Sequence, residues 1–226
     1  MNAPLPAKAF QARSISLASR YGGRTVLAIG AHPDDLELAI GGILARLSRE
    51  SVRVVMAVVS VPADYAVRQR EAQRAAEILG CELRILLHGE ARRIDDIKNY
   101  HLVGMLDALV RELEPAAVLT HSANEFHRDH VTVHNACLST QRLKPFDFFH
   151  FNPTMCRPVP VQFHPRAYVD VTTTIDLKME AIAAHTSQFG ARGLEAEMYR
   201  DLARLTGRMV GVKYAEGIDV GRMLLA

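Results

Sequence analysis

Short apolar runs alternate with segments of helical periodicity through the first two thirds of this chain. The first run, TVLAIGAH at residues 25–32, has the length and apolar character of a strand buried on both faces. Strands that alternate with helices are joined by right-handed crossovers. The sequence therefore predicts a Rossmann-like α/β fold, a mostly parallel sheet with helices on both faces. Further strands are predicted at residues 52–61, 82–89 and 116–121, and helices at residues 36–50, 67–80, 101–114 and from about 130.

The pattern changes after residue 145. Residues 153–165 hold four of the ten prolines, too many for a central strand or helix. We interpret this region as a C-terminal elaboration of a single domain at residues 25–226, preceded by an N-terminal arm at residues 1–24. Within the elaboration, strands are predicted at residues 146–152 and 166–172, and helices at residues 174–189 and 193–209.

Composition argues against several classes of function. A net charge of +2, with no block of Lys or Arg on a predicted helix, is not the electrostatic footprint of a nucleic-acid-binding protein. The longest apolar runs are too short to span a membrane. Cys81, Cys137 and Cys156 form no C-x-x-C pair, which argues against a disulfide framework or a thiolate zinc site. We therefore expect a cytoplasmic protein that acts on a small molecule.

The first predicted strand ends in the loop His32-Pro33-Asp34-Asp35. Ligands of open α/β sheets bind at the carboxyl ends of strands, so this loop is a candidate site. An imidazole and carboxylates suit a borderline cation such as zinc. However, the aspartates also precede a predicted helix, whose N-terminus stabilises negative charge. Taken alone, this loop is explained equally well by helix capping.

A second loop favours the metal. The segment HSANEFHRDH at residues 121–130 follows another predicted strand and carries two more histidines close to an aspartate. If both strand ends meet at one crevice, His32, Asp35 and a histidine of this segment surround one ion. Two histidines and one carboxylate, with a fourth position open, form the ligand set of a catalytic zinc site. A carboxylate beside the metal can act as a general base, and the Asp34–Asp35 pair is able to supply one of each.

The two loops together carry a family resemblance. AHPDD-L-E-LAI-GG, followed much later by HRDH, resembles the PIG-L/LmbE-like family of zinc-dependent N-acetylglucosaminyl deacetylases. Weaker matches are R-x-x-E at residues 68–71, the run from YVDVT to DLKMEAIAAHTSQ, and YAEG near the C-terminal end. The spacing D-D-x-E-x-x-x-G-G is closer to the bacterial branch that includes bacillithiol-pathway deacetylases.

The resemblance implies a role for each residue of the first loop. His32 and Asp35 would hold the zinc ion together with His130 of the second loop. Asp34 would be the general base that takes a proton from the attacking water. These four residues are the expected metal ligands and the expected catalytic base.

The resemblance also implies roles for residues around the metal. A protonated His127 would stabilise the oxyanion and could protonate the leaving amine, and Asp129 would orient one of the histidines. Arg68 would help to hold the substrate sugar or its appendage. Many relatives have an aspartate where this chain has Glu125, so we expect Glu125 at a wall of the substrate pocket.

Three further histidines have open interpretations. His121 at a predicted strand end is a candidate for the pocket. His134 lies four residues after His130, a ligand spacing, but a structural role is favoured because other ligands are available. His185 is expected to make a structural or outer hydrogen bond.

These features predict a zinc hydrolase that removes the acetyl group from an N-acetylglucosamine-type sugar or its conjugate and releases acetate. An alternative is a zinc amidohydrolase that acts on a non-sugar amide or on a longer N-acyl group, because the two loops set the reaction and not the pocket. Substrate selectivity is expected in the Pro-rich residues 153–165. A binding protein without catalysis is disfavoured because the whole ligand set and the base are present. A homo-oligomer is possible, since relatives often assemble.

Overall fold

The computed structural model describes residues 16–153, 162–189 and 195–224. Its strands in these ranges are β1 Thr25–Gly30, β2 Arg53–Val58, β3 Glu82–Ile85, β4 Ala117–His121, β5 Asp147–Phe151, β6 Ala167–Asp170 and β7 Ala215–Arg222. The helices are α1 Leu17–Tyr21, α2 Asp35–Arg49, α3 Tyr65–Leu79, α4 Asn99–Leu113, α5 Arg128–Thr140, α6 Ile175–Ala183, α7 Thr186–Phe189 and α8 Glu197–Val210, with a short 3-10 helix at Ile94–Asp96. No helix in these ranges has the length and apolar character needed to span a membrane.

The described strands form one sheet in the order β3-β2-β1-β4-β5-β7-β6. Strands β1 to β5 are parallel, and β7 runs antiparallel to both β5 and β6. Val26 of β1 pairs with Val54 of β2 on one side and with Ala117 of β4 on the other. The strand order reverses direction at β1 and β4, and this is the point where open α/β sheets bind ligands.

Each face of the sheet buries its own apolar core. Alternate residues of β1 point to opposite faces, as in any strand. Val26 and Ala28 belong to a core shared with α2 and α3, whereas Leu27 and Ile29 belong to a core shared with α4 and α5. This arrangement confirms the predicted α/β fold with a mostly parallel sheet and helices on both faces.

The C-terminal part differs from the sequence prediction in two places. The sequence analysis did not identify β7, because two glycines interrupt its apolar alternation. Both glycines allow close approach: a Cβ at Gly217 would lie 2.7 Å from the Pro165 ring, and one at Gly221 would lie 2.8 Å from the His150 ring. The helix predicted at residues 174–189 is broken between α6 and α7.

Residues 154–161 of the Pro-rich segment lie outside the described residues. The division into an N-terminal arm and a single domain stays a prediction.

A buried ion pair bridges a break in α2. The backbone of Ile40 leaves the helical region with a φ of −138°, so the hydrogen-bond ladder is interrupted. The Glu216 carboxylate of β7 accepts hydrogen bonds from the backbone amides of Gly42 and Ile43, at 3.1 and 2.7 Å. On the other side of the break, the Lys178 ammonium group donates to the Leu38 carbonyl at 2.8 Å and to Glu216 at 2.5 Å. The pair therefore satisfies backbone groups that the helix itself leaves open.

Gly42 lies at the centre of this contact. A Cβ there would lie 2.8 Å from the Val171 side chain, so only glycine lets α2 approach this close. The glycines at positions 41 and 42 are therefore packing residues.

We expect Glu216→Leu to lower the free energy of unfolding by about 3–5 kcal/mol, because it leaves the Lys178 ammonium group buried without its counter-charge. The double variant Lys178→Met/Glu216→Leu should lose less. Glu82→Leu is a control, because it breaks the Arg53–Glu82 pair, in which both side chains are about half exposed, and should cost less than about 1 kcal/mol. Urea unfolding measures all three. Equal losses for Glu216→Leu and Glu82→Leu would show that the buried pair has no special role.

Candidate metal and catalytic site

The two motif loops meet at the carboxyl ends of β1 and β4. These strands are parallel neighbours, and Ile29 of β1 pairs with Thr120 of β4. The loop after β1 leads into α2, and the loop after β4 leads into α5. The structure brings the expected metal ligands, the expected base and the second loop into one cluster.

The Asp35 carboxylate is the centre of this cluster. It is buried, and its Oδ2 accepts a hydrogen bond from the backbone amide of His32 at 2.8 Å. The same oxygen lies 3.8 Å from Nδ1 of His32, while Oδ1 lies 3.2 Å from Nε2 of His130. Burial alone would raise the pKa of Asp35, but the positive charge of His130 and the hydrogen bonds of Asp35 with His121 and His130 outweigh it and hold that pKa well below its usual range. The carboxylate is therefore ionised.

Asp129 fixes the orientation of His32. Its Oδ2 lies 2.9 Å from Nε2 of His32, and this hydrogen bond lowers the pKa of the Asp129 carboxyl. With Nε2–H donated to Asp129, the His32 lone pair is on Nδ1, which faces Asp35. A carboxylate that holds the far nitrogen of an imidazole in this way is the usual support of a metal-binding histidine.

His130 has a similar arrangement on the other side of Asp35. Its Nδ1 lies 3.4 Å from Oε2 of Glu125, whose side chain is buried. Burial would lower the pKa of His130, but the neighbouring Asp35 and Glu125 carboxylates raise it to about 10. The structure thus places Glu125 behind His130, where it orients the ring. A metal ion would take the place of the proton on Nε2.

These donors fit a zinc ion. Ligand atoms about 2.0–2.2 Å from zinc in a tetrahedral shell lie about 3.3–3.6 Å apart. Oδ1 of Asp35 lies 3.2 Å from Nε2 of His130, and its Oδ2 lies 3.8 Å from Nδ1 of His32 and 3.3 Å from Nε2 of His121, all close to that range. The set contains two imidazoles and one carboxylate, the far nitrogen of each imidazole faces a carboxylate, and the donors are buried or half-buried. This is the chemistry of an open catalytic site and not of a closed structural one.

Two overlapping groups of donors lie close together within the described residues. One is His32, His127 and His130, and the other is Asp35, His121 and His130. The His121 ring already has a structural role, because its Nε2 accepts the backbone amide of Ala31 at 2.9 Å. Burial and the charge of His130 lower the pKa of His121 to about 4, so this ring is neutral. We therefore favour His32, rather than His121, as the second imidazole ligand.

His134 contacts the last residue of β4. Its Nδ1 lies 2.8 Å from the carbonyl oxygen of His121, and both rings are buried. The favoured structural interpretation of His134 agrees with this contact. The sequence offered one signal for His121, its position as the last residue of a strand.

Asp34 is not a conventional helix cap. It occupies the residue before α2, but its side chain makes no capping hydrogen bond to the described residues, and its φ is +97°. Burial and the nearby charge of Asp35 raise the pKa of the Asp34 carboxyl to about 7. Capping therefore does not explain the aspartate pair, and a carboxyl with a pKa near neutrality is suited to proton transfer.

His127 stands at the exposed side of the cluster. Its ring stacks on His130 with the centroids 4.6 Å apart, and its Nδ1 accepts the backbone amide of Asp129 at 3.2 Å. Burial and the charges of His130 and His32 lower the pKa of His127, which disfavours the protonated form implied by the resemblance. Because Nδ1 is an acceptor, the neutral ring carries its proton on Nε2 and remains a hydrogen-bond donor.

Arg68 faces inward and not toward open solvent. It is 7% exposed, its Nη2 donates to the Pro33 carbonyl at 3.0 Å, and it lies 3.7 Å from Oδ2 of Asp34. This contact was not predicted from the sequence, because the direction of an arginine side chain depends on how α3 packs against the loop.

Comparison with known proteins places the chain among deacetylases. The chain is 29% identical over 185 residues to the uncharacterized deacetylase YaiS of Escherichia coli K12, covering 77% of this chain and 97% of YaiS. It is 26% identical over 228 residues to the diacetylchitobiose deacetylase of Thermococcus kodakarensis, covering 86% of this chain and 82% of that enzyme. Among solved structures, the 4-carboxy-2-hydroxymuconate hydratase GalB of Pseudomonas putida KT2440 has a TM-score of 0.74 at 21% identity, covering 90% of this chain and 98% of GalB. At that identity the likeness to GalB shows the fold alone.

The family match falls on both motif loops. Residues 27–140, just over half of the chain, match the PIG-L family, which is described as GlcNAc-PI de-N-acetylase. This range begins in β1 and ends with α5, so it contains the whole donor cluster. The chain therefore belongs to the PIG-L family of de-N-acetylases, enzymes that hydrolyse amide bonds.

Proposed function

We propose that this protein is a Zn²⁺-dependent hydrolase that removes the N-acetyl group from an N-acetylglucosamine-type sugar or its conjugate and releases acetate. One observation carries the proposal: the buried Asp35 carboxylate lies 3.2 Å from Nε2 of His130 and 3.8 Å from Nδ1 of His32. The adjacent Asp34 carboxyl makes no capping hydrogen bond to the described residues and belongs to neither donor group found among them. The match to the PIG-L family and the similarity to a diacetylchitobiose deacetylase support an amino-sugar substrate.

His32, Asp35 and His130 would hold the metal ion. A bound zinc ion polarises the amide carbonyl and makes water nucleophilic at neutral pH. The chain's own residues do the rest. Asp34 takes a proton from the water while the water oxygen bonds to the carbonyl carbon. Asp34 then gives that proton to the amine nitrogen as the C–N bond breaks. Acetate and the free amine are the products.

Two residues prepare the site for this reaction. His127 accepts the Asp129 amide at Nδ1, so its neutral ring carries the proton on Nε2 and can donate to the negative charge that develops on the carbonyl oxygen. Asp129 holds His32 in the tautomer whose Nδ1 lone pair faces Asp35.

A second candidate is a zinc amidohydrolase for a non-sugar amide or a longer N-acyl group. The donor cluster is equally suitable for both candidates, and the hydratase GalB shows that this fold also serves other reactions. The residues that would select the substrate were expected in the Pro-rich segment, which lies largely outside the described residues.

An acetate-release screen distinguishes these candidates. We expect the zinc-loaded protein to release acetate from at least one of N-acetylglucosamine, N,N′-diacetylchitobiose, a nucleotide-linked or a lipid-linked N-acetylglucosamine, and expect a chelator to abolish the release. The matched N-butyryl sugars and N-acetyl amino acids are the competing probes. Hydrolysis of those probes alone would support the second candidate, and no hydrolysis of any probe would contradict both.

Replacing Asp34 tests the catalytic base. Asp34→Asn should lower kcat by about 10²–10⁴-fold, because the amide cannot accept the proton, while the variant keeps about one zinc ion per chain. Acetate release and elemental analysis measure the two effects. Asp95→Asn, at an exposed carboxylate of the 3-10 helix, serves as the control and should behave like the wild type. A wild-type rate from Asp34→Asn would exclude Asp34 as the base.

Replacing Asp129 tests the support of His32. Asp129→Asn should weaken zinc binding by about 10–100-fold, because the neutral amide lacks the carboxylate charge and can turn its NH2 group toward Nε2, so it no longer fixes the His32 tautomer. Competition with a fluorescent zinc chelator measures the affinity without any assay of activity. If zinc affinity does not change, His32 does not depend on Asp129 for metal binding.

A further inference from the structure

Asp34 needs an external support for its backbone. Its φ of +97° lies in a region that L-residues seldom occupy, and such a conformation costs about 1–3 kcal/mol. Aspartate tolerates it better than most residues, but nothing in its own side chain favours this conformation, because the side chain makes no capping hydrogen bond within the described ranges. The position of the Asp34 carboxyl is therefore set by the groups that hold the adjoining peptide.

Arg68 holds that peptide. Its Nη2 donates to the Pro33 carbonyl at 3.0 Å, and this carbonyl belongs to the peptide plane whose rotation defines φ of Asp34. The same guanidinium nitrogen lies 3.7 Å from Oδ2 of Asp34. One planar, positively charged group thus contacts the loop twice, at the backbone and near the carboxylate.

The helix that carries Arg68 is itself anchored by buried polar contacts. Glu71 lies on the same face of α3, three residues further on. Its Oε1 accepts hydrogen bonds from the Thr186 hydroxyl and the Ser187 amide, both at 2.8 Å, and its Oε2 accepts the Ser187 hydroxyl at 2.7 Å. These three bonds join the side of α3 that carries Arg68 to the start of α7.

A further contact joins the residue before α7 to α2. The fully buried His185 has its Nε2 3.0 Å from Oε1 of Glu37, which is 2% exposed in the first turn of α2. Beginning at Asp34, the contacts run through Arg68 and Glu71 to α7, and from His185 back to the helix that Asp34 precedes. These buried and part-buried contacts form a closed circuit that includes the Pro33–Asp34 peptide.

We propose that Arg68 is a positioning residue, which acts on the reaction by holding the Pro33–Asp34 peptide through this circuit and not by binding the substrate sugar. The proposal rests on the proposed function only in assigning the proton transfer to Asp34. A guanidinium group that holds Asp34 sets where the transferred proton is accepted, and a misplacement of about 1 Å can cost about 10²-fold in rate.

Kinetics of Arg68 variants separate the two roles. Arg68→Met should lower kcat for the N-acetyl sugar that the zinc-loaded wild type hydrolyses best by about 10–100-fold and leave KM within about twofold. Arg68→Lys should recover part of the rate, because an ammonium group can still donate to the Pro33 carbonyl. Arg70→Met is the matched control on the exposed face of α3 and should have wild-type kinetics. A raised KM with an unchanged kcat would identify Arg68 as a substrate contact and overturn the proposal.

A variant of the anchor tests the circuit at a distance. Ser187→Ala removes the hydroxyl donor to Glu71 and leaves the backbone donor in place. It should lower kcat by about 2–10-fold with KM unchanged. It also keeps the test decisive if Arg68→Met fails to fold, because unchanged kcat in both Ser187→Ala and Arg68→Lys would overturn the proposal.

Hydrogen exchange tests the positioning without any substrate. The His32 amide is bonded to Asp35 and the Leu38 amide to the Asp34 carbonyl, so both report on the loop. Hydrogen exchange of peptides that cover residues 31–38 should be faster in Arg68→Met than in the wild type and in Arg70→Met. Exchange of peptides from the rest of the chain should be the same in all three proteins. If the wild type hydrolyses no probe, the proposed function fails while this result still stands. Unchanged exchange would show that Arg68 does not hold the loop.

Discussion

A buried carboxylate is stable only if hydrogen bonds or an opposite charge compensate its negative charge. The site is organised around this requirement at Asp35. In the structure, the backbone amide of His32 and the protonated ring of His130 compensate this charge. The His32 contact is local to the loop after β1, whereas the His130 contact exists only because the carboxyl ends of β1 and β4 are neighbours, so the strand order determines the donor cluster. A zinc ion would supply the same positive charge in place of a proton, which is why one geometry is suitable for both folding and metal binding.

The local patterns of the sequence were enough to predict most of the fold and the composition of the site. Continuous apolar runs predicted the parallel strands, because strands buried on both faces have no polar alternation. β7 was not identified, since the glycines that let it approach Pro165 and the His150 ring also remove the side chains that would mark a strand. The two loops identified the donors, because the chemistry of zinc limits the residue types that can bind it. The buried directions of Arg68 and Glu125 depend on contacts with distant residues, which no local pattern records.

The weaker sequence matches have a shared structural meaning. The run DLKMEAIAAHTSQ supplies Lys178, His185 and Ser187, and YAEG supplies Glu216. All four make buried or part-buried polar contacts that end on α2 or on α3, the helices beside the first motif loop. These motifs do not extend the donor cluster. They fix the two helices that carry or follow Asp35, the proposed metal ligand, Asp34, the proposed base, and Arg68.

The contact between Glu216 and α2 also links the site to the order in which the chain is made. Asp35 and the first turns of α2 leave the ribosome early, whereas the carboxylate that receives the Gly42 and Ile43 amides comes from the last strand. At about 5–20 residues per second, the two are separated by on the order of ten seconds or more of synthesis. Until then the break in α2 has no partner for its open amides. The two sides of the break in α2 are therefore held together only after β7 has been synthesised.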